Sequence, residues 1–260
     1  MDARALLSAY DEQVRRSPQP VGAGETVERE QHLTRVVNLQ GGWTGVSWSD
    51  LQGADLDEVI RAQIDRFRDC PGGWEWKHYS HDRPAELPER LIAAGLQAGE
   101  AETLMGAAIA ALDLGAGPPE GVTLRDIGDL QGARALARMQ DEVFQRPIPG
   151  MAERMMAGIA VNPPTTAAVA AIAGGQTVAG GRVEFDPGSD FAGLWGGATA
   201  PAFRGRGIFR ALVARRAALA AQRGYRYLQV DASAQSRPIL ARLGFIELAT
   251  TTPYMYPRGS

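Results

Sequence analysis

A short segment rich in glycine and arginine has the residue types and spacing that are typical of an anion-binding site. Its residues are Arg204, Gly205, Arg206, Gly207, Ile208 and Phe209. A helix N-terminus carries unpaired N–H groups and about half a positive charge, and glycines let a phosphate come close to them. Arg204 and Arg206 add countercharge. The segment therefore predicts a site for a diphosphate or another small polyanion.

The elements that must position this turn follow from the spacing of apolar residues. The strand candidates of the second half are 122–127, 167–173, 176–185, 191–199, 225–231 and 245–256, and its helix candidates are 129–144, 207–223 and 236–243. Gly174 and Gly175 predict a hairpin between two of these strands. The arginine-glycine turn then lies between a strand and the helix that follows it.

The first half of the chain shows a similar order with weaker signals. Its strand candidates are 43–48, 74–79 and 104–110, and its helix candidates are 1–16, 56–67 and 85–94. The glycine- and proline-rich stretch 115–121 predicts a linker, so we divide the chain into 1–118 and 119–260. The shared order is a weak internal repeat.

Two motifs together resemble those of the GCN5-related N-acetyltransferase (GNAT) superfamily. They are Pro201-x-x-Arg204-Gly205-Arg206-Gly207-Ile208 after a strand and, further along, Arg242-Leu243-Gly244-Phe245. The resemblance covers about 120–256 and implies an α/β fold with a mixed, mostly antiparallel sheet flanked by helices. It also implies a tandem arrangement in which the first half is a degenerate second domain, with an unrelated helical extension as the alternative. A dinucleotide fingerprint is disfavoured, because Arg210 occupies its third glycine position.

The resemblance implies acetyl-CoA as the co-substrate, with its pyrophosphate on the turn and its pantetheine arm along the preceding strand. The residues so assigned are Ala198, Thr199, Ala200, Arg204, Gly205, Arg206, Gly207, Ile208 and Phe209. A main-chain N–H near Ala198 to Ala200 would polarise the thioester carbonyl. The implied reaction is direct attack by an amine in a ternary complex, which does not require Cys70.

This sequence departs from the family pattern at three positions. Phe209 replaces a glycine or alanine, Leu240 replaces a tyrosine that serves as general acid, and Ser233 replaces an asparagine. The departing thiolate must then take its proton from another group. The candidates are Ser233, Ser236, Tyr254, Tyr256 and water.

An amine with a pKa of about 10.4 is mostly protonated at neutral pH, so a general base assists its attack. Glu184, on the strand beside the proposed cofactor strand, is the first candidate, and Asp231 is the second. The alternative for each is an exposed or ion-paired carboxylate.

Composition restricts the partners and the compartment. The formal net charge of −3 lacks the basic excess that nucleic-acid binding requires, and no apolar run approaches membrane-spanning length. A single cysteine and a charged N-terminal segment favour a cytoplasmic location, and no residue set predicts a metal site. The acceptor is expected to be a small-molecule or peptide amine. A non-catalytic acyl-CoA-binding sensor and an unrelated phosphate-binding protein are the competing interpretations.

Overall fold

The computed structural model describes residues 2–21, 24–40, 42–70, 72–115 and 117–256. Its strands are β1 (Glu25–Arg29), β2 (Leu33–Asn38), β3 (Gly45–Ser49), β4 (Trp74–Tyr79), β5 (Gln97–Ala98), β6 (Glu102–Ala108), β7 (Thr123–Asp126), β8 (Thr166–Ala173), β9 (Gln176–Phe185), β10 (Phe191–Thr199), β11 (Tyr227–Ala232) and β12 (Ile246–Tyr256). Its helices are α1 (Ala3–Tyr10), α2 (Leu56–Arg66), α3 (Leu87–Ala93), α4 (Leu130–Phe144), α5 (Met151–Ala160), α6 (Ile208–Gln222) and α7 (Arg237–Arg242). A π-helical segment, Asp11–Arg16, continues α1.

All the strands belong to one sheet with the order β1-β2-β3-β4-β12-β6-β11-β10-β9-β8-β7, and β5 pairs with β12. The two halves of the sequence exchange strands in the middle of this sheet. Strand β6 of the first half pairs with β11, and β12 of the second half pairs with β4. The predicted division at residue 118 therefore does not divide the sheet, which contains strands from both sides of that position.

Both halves follow the same order of elements. Three antiparallel strands lead into a helix, a fourth strand, a second helix and a final extended segment. In each half the fourth strand pairs in parallel with the third, as in Gly45 with Glu75 and Gly193 with Gln229. This agreement in pairing strengthens the weak repeat read from the sequence.

Helices cover the two faces of the sheet unequally. Side chains of cross-strand partners lie on the same face of the sheet, and successive side chains along a strand lie on alternate faces. The register therefore shows on which face each side chain lies. Helices α2, α3, α6 and α7 pack on one face, here called the α6 face, over two apolar cores. Helices α1, α4 and α5 pack on the opposite face, here called the α1 face. Between α1 and α4, the α1 face carries polar side chains from β9 and β11, which include Arg182, Glu184, Gln229 and Asp231.

Most predicted elements of the second half are confirmed within one or two residues, including the hairpin at Gly174 and Gly175. Helix α5 and strands β1 and β2 were not predicted. Their segments contain glycine, proline or charged residues that interrupt a simple apolar period. Within the described ranges, none of the helices has both the length and the apolar character needed to cross a bilayer.

Candidate active site

The arginine-glycine turn forms an open cradle at the start of α6. Gly205 and Gly207 adopt φ values of +74° and +82°, which glycine favours. A Cβ atom built on either residue meets nothing within 4 Å among the described residues. Gly207 is the N-cap of α6 and provides no side-chain cap, so the N–H groups of the first turn have no such partner. The cradle can therefore accept an anion.

Two arginines stand at this cradle without a carboxylate within 4 Å in the part of the chain that the structure describes. The Arg204 Nε donates to the carbonyl oxygen of Thr199 at 3.1 Å, and the Arg206 guanidinium lies 5.1 Å from the centre of the Phe203 ring. Arg210, in contrast, pairs with Asp113 at 3.1 Å. Arg204 and Arg206 are thus the cations free to meet a phosphate.

Phe209 is the residue that replaces a glycine or alanine of the family pattern. Its ring turns away from the cradle and packs against the sheet, with one ring atom 3.0 Å from the position of a Cβ on Gly197. The backbone N–H of Phe209 still belongs to the first turn of α6. A large side chain is tolerated here because the bare Gly197 provides the space for its ring.

A gap opens between β10 and β11 next to the cradle. The two strands pair only from Phe191 to Gly193, and the rest of β10 has no partner in β11. On its other side β10 bulges, because Gly196 and Gly197 together oppose one residue of β9. The Gln140 Nε2 on α4 donates to the carbonyl oxygen of Gly196 at 2.5 Å. The strand that precedes the cradle thus separates from β11 after Gly193.

The register between β9 and β10 distinguishes the three residues that were predicted to contact the pantetheine arm, Ala198, Thr199 and Ala200. The Ala200 N–H donates to the carbonyl oxygen of Val178 on β9 at 2.8 Å. Antiparallel pairs alternate in the direction of their hydrogen bonds, so Ala198 also faces β9 and the Thr199 backbone faces the gap. The Thr199 hydroxyl oxygen is buried and has no partner among the described residues. Thr199 is therefore the member of the set whose main-chain N–H faces the gap, since its carbonyl oxygen already accepts from the Arg204 Nε.

Glu184 lies on the α1 face in one cross-strand row with Gly193 and Gln229. Its carboxylate accepts a hydrogen bond from the Arg182 Nε at 2.5 Å. Gln229 is buried, and its side-chain oxygen has no partner in the described ranges. Glu184 is thus an ion-paired carboxylate one row below the start of the gap.

Asp231 lies directly at the gap and is almost completely buried, with 3% of its side chain exposed. Its Oδ2 accepts a hydrogen bond from the Lys77 Nζ at 2.5 Å, while its Oδ1 has no partner among the described residues. Although burial opposes the charged form, the field of Asp231 raises the pKa of Lys77 well above its ordinary value. The Lys77 Nζ also lies 5.3 Å from the centre of the Trp195 ring on β10. One ammonium therefore bridges the two strands that border the gap.

A second residue of the first half, Glu102, lies on the same face. It is two residues from Leu104, the register partner of Asp231. Burial, followed by the field of Asp231, raises the pKa of Glu102 to about 7. Sequence reasoning missed both Lys77 and Glu102, and no local spacing marks them, because only the strand exchange brings them beside Asp231.

The candidate proton donors fall into two groups. The Ser233 Oγ, just after β11, lies 3.3 Å from the Ser236 Oγ and accepts from the Ser236 N–H at the start of α7. Tyr254 and Tyr256 lie elsewhere, because β12 crosses to the first half and packs both rings in that core. The strand exchange therefore separates both tyrosines from the gap by β6 and β11. Leu240 is buried in the core below α6.

Comparison with known proteins agrees with this geometry. Residues 133–245 match the acetyltransferase (GNAT) family. A comparison with curated proteins found no match.

Solved structures share the fold at low sequence identity. A GCN5-related N-acetyltransferase from Kribbella flavida is 16% identical with a TM-score of 0.68, covering 99% of this chain and 96% of its own. A GCN5-related N-acetyltransferase from Sphaerobacter thermophilus is 17% identical with a TM-score of 0.59, covering 90% and 83%. A tandem GNAT protein from the clavulanic acid biosynthesis pathway is 10% identical with a TM-score of 0.60, covering 98% and 94%.

The family match, the mixed sheet and the cradle beside a strand gap agree with one another. They support acetyl-CoA-dependent acetyl transfer in general and leave the amine open. The family match is carried by residues 133–245, which correspond to the acetyltransferase (GNAT) family.

Proposed function

We propose that this protein transfers the acetyl group of acetyl-CoA directly to a primary amine in a ternary complex. The observation that carries the proposal is the uncapped N-terminus of α6, which opens beside the gap between β10 and β11. An extended cofactor needs both features, because one holds its diphosphate and the other holds its arm. The division of labour between an active second half and a degenerate first half belongs to the same proposal.

The cradle fits the diphosphate of the cofactor. The N–H groups from Gly205 to Phe209 would bind its oxygens, and Arg204 and Arg206 would supply charge. The pantetheine arm would then enter the gap along Ala198, Thr199 and Ala200. Since only Thr199 of these three turns its backbone toward the gap, we assign the main-chain contact with the arm to Thr199.

The bulge in β10 suits the thioester carbonyl. Gly196 and Gly197 lie outside the regular ladder, and neither has a partner in β11. A main-chain N–H at this point would stabilise the oxygen that becomes negative as the amine attacks. The amine nitrogen bonds to the carbonyl carbon, the carbon–sulfur bond breaks, and the electron pair leaves with the CoA sulfur.

The amine would approach from the α1 face, where the carboxylates lie. Both carboxylates are ion-paired, Asp231 with Lys77 and Glu184 with Arg182, but Asp231 keeps an unpartnered Oδ1 and lies closer to the gap. We therefore place Asp231 against the incoming amine and Glu184 at the edge of its site. Glu102, with a pKa of about 7, is suited to take the released proton near neutral pH.

The proton that the thiolate requires has a nearby source in the Ser233 and Ser236 hydroxyl pair. Ser233 follows directly on β11, so its hydroxyl is near the open end of the gap. We assign the Ser233 hydroxyl the role of passing a proton to the thiolate while it accepts one from a water molecule, so that the serine stays neutral.

Calorimetric titration of acetyl-CoA tests the proposal first. Wild-type protein is expected to bind with a micromolar Kd, and the double variant Arg204→Glu/Gly207→Glu is expected to lose binding. The matched control is Arg68→Glu/Gly53→Glu, which makes the same charge change at an exposed arginine and at a glycine that also has a φ of +82°. It should bind like wild type.

Turnover completes the test. A panel of amines is incubated with acetyl-CoA, and the released thiol is measured. Thiol release that depends on the amine and disappears in the double variant supports an enzyme. Absence of acetyl-CoA binding by wild type at millimolar concentration would reject the proposal, and binding without turnover across the panel would indicate an acyl-CoA-binding module.

A further inference from the structure

Arg216 is a buried cation that the proposed reaction has not used. It lies in the third turn of α6 with 1% of its surface exposed. Its Nη1 donates to the carbonyl oxygen of Arg182 at 3.2 Å, and its Nε donates to that of Leu212 at 3.1 Å. Both partners are neutral carbonyl groups, and no carboxylate of the described residues pairs with it. A buried charge without a counterion is unfavourable, so its presence here calls for a reason.

The sheet contains a slot for this guanidinium. A Cβ on Gly181 would lie 2.7 Å from the Arg216 Nη1, and a Cβ on Gly197 would lie 3.7 Å from the Nη2. These two glycines belong to opposite sides of the bulge. The guanidinium therefore sits directly under the part of β10 that borders the gap.

Two cations flank this gap, and they differ in whether a carboxylate neutralises their charge. Lys77 on the α1 face is neutralised by Asp231, which accepts its hydrogen bond. Arg216 on the α6 face is not neutralised in this way. Burial and the neighbouring Arg182 lower the pKa of Arg216 to about 10, so it remains charged at neutral pH. Its field at the gap is positive.

We propose that Arg216 stabilises the negative charge that forms in the gap, first on the thioester oxygen and then on the CoA sulfur. This inference rests on the proposed function. The carbon–sulfur electron pair departs with the sulfur, and a fixed positive charge in a poorly hydrated site favours that thiolate. Arg216 thus acts through its field and through the bulge, and not by proton transfer.

The pKa of the CoA thiol, measured on the bound product, tests this role without turnover. Thiolate absorbance in the ultraviolet is followed against pH for CoA bound to each variant. A nearby cation lowers such a pKa by about one unit or more, so bound CoA should ionise below free CoA. We expect Arg216→Met to reverse most of that shift and Arg216→Lys to keep most of it.

Arg215→Met is the matched control. It removes the same charge from the adjacent position, where the side chain is partly exposed and pairs with Asp126. Its bound thiol should ionise as in wild type. If the thiol ionises at the same pH in wild type and in Arg216→Met while both bind CoA equally, the inference is overturned.

A further variant covers the case in which Arg216→Met does not fold. Gly181→Ala keeps the charge but displaces the Nη1, which would lie 2.7 Å from the new methyl group. Its bound thiol should ionise between the wild-type and free values, and an unchanged thiol pKa would contradict the inference. If wild-type protein does not bind CoA, that result refutes the proposed function itself.

Discussion

Helices α2 and α6 occupy the same place in the two halves, yet their N-termini are opposite in charge. In α2 the Asp55 side chain accepts from the Glu58 N–H at 3.1 Å, and Asp57 and Glu58 add negative charge to the first turn. In α6 the cap is the bare Gly207, which follows the exposed Arg204 and Arg206. A helix N-terminus attracts anions only while its N–H groups are free.

The comparison shows that a shared fold does not confer a shared anion site. Asp55 already satisfies the first turn of α2, and a pyrophosphate there would meet carboxylates. The first half instead contributes side chains to the other half, because β6 and β4 bring Glu102 and Lys77 to the α1 face near Asp231. Its proposed role is to complete the site and not to bind CoA.

The largest effect is expected from breaking the link between the halves at Lys77. Lys77→Met leaves Asp231 buried without its partner, and we expect a loss of about 3 kcal/mol in the free energy of unfolding. Urea denaturation measures it. The double variant Lys77→Met/Asp231→Leu should recover most of the loss, since it removes both charges. Equal losses in the single and double variants would mean that the pairing contributes nothing.

A carboxylate at the N-cap of α6 should make the N-terminus of this helix resemble that of α2 and weaken its attraction for anions. Gly207→Asp introduces the type of cap found in α2 and should weaken acetyl-CoA binding about 100-fold, which corresponds to about 2.7 kcal/mol. Calorimetry gives the Kd. Gly53→Asp, at a glycine with the same φ of +82°, controls for backbone strain. Similar affinities for the two variants would remove the electrostatic explanation of the comparison.

Stability should fall as the pH rises from about 4 to about 7. Burial, together with Glu184, raises the pKa of Asp186 to about 7, whereas an unfolded aspartate titrates near 3.9. The folded state therefore holds a proton that the unfolded state has released, and folding weakens as that proton is lost.

Denaturation at pH 5.5 and pH 8 tests this pH dependence. We expect wild type to lose about 2 kcal/mol between the two values through Asp186, and the raised pKa of Glu102 adds to this loss. Asp186→Asn should reduce the loss. A pH profile that is the same in this variant and in wild type would show that Asp186 titrates normally.

The smallest effect is expected at the cap of α2. Asp55→Ala should cost about 1 kcal/mol of stability, because the Glu58 N–H loses its acceptor. The Kd for acetyl-CoA should not change, since the cofactor is assigned to α6. Tighter binding or a second equivalent of acetyl-CoA in calorimetry would indicate that Asp55 alone suppresses a site in the first half.

Elements with strong local signals were predictable from the sequence. The α6 helix, the Gly174-Gly175 hairpin and the turn from Arg204 to Phe209 all depend on neighbouring residues, and each lies where expected. Helix α5 was missed because its ten residues follow a glycine- and proline-containing loop without a clear cap. The partner of Asp231 was not predictable, since 154 residues separate it from Lys77.

The sequence by itself determined the arginine-glycine turn, because glycine φ values, arginine charge and the start of a helix are local properties. Tertiary structure alone decided what surrounds that turn. Exchange of β6 and β12 moved Tyr254 and Tyr256 away from the site and brought Lys77 and Glu102 to it. Strand partners far apart in sequence are selected by burial and register across the whole sheet, which no short pattern of residues encodes.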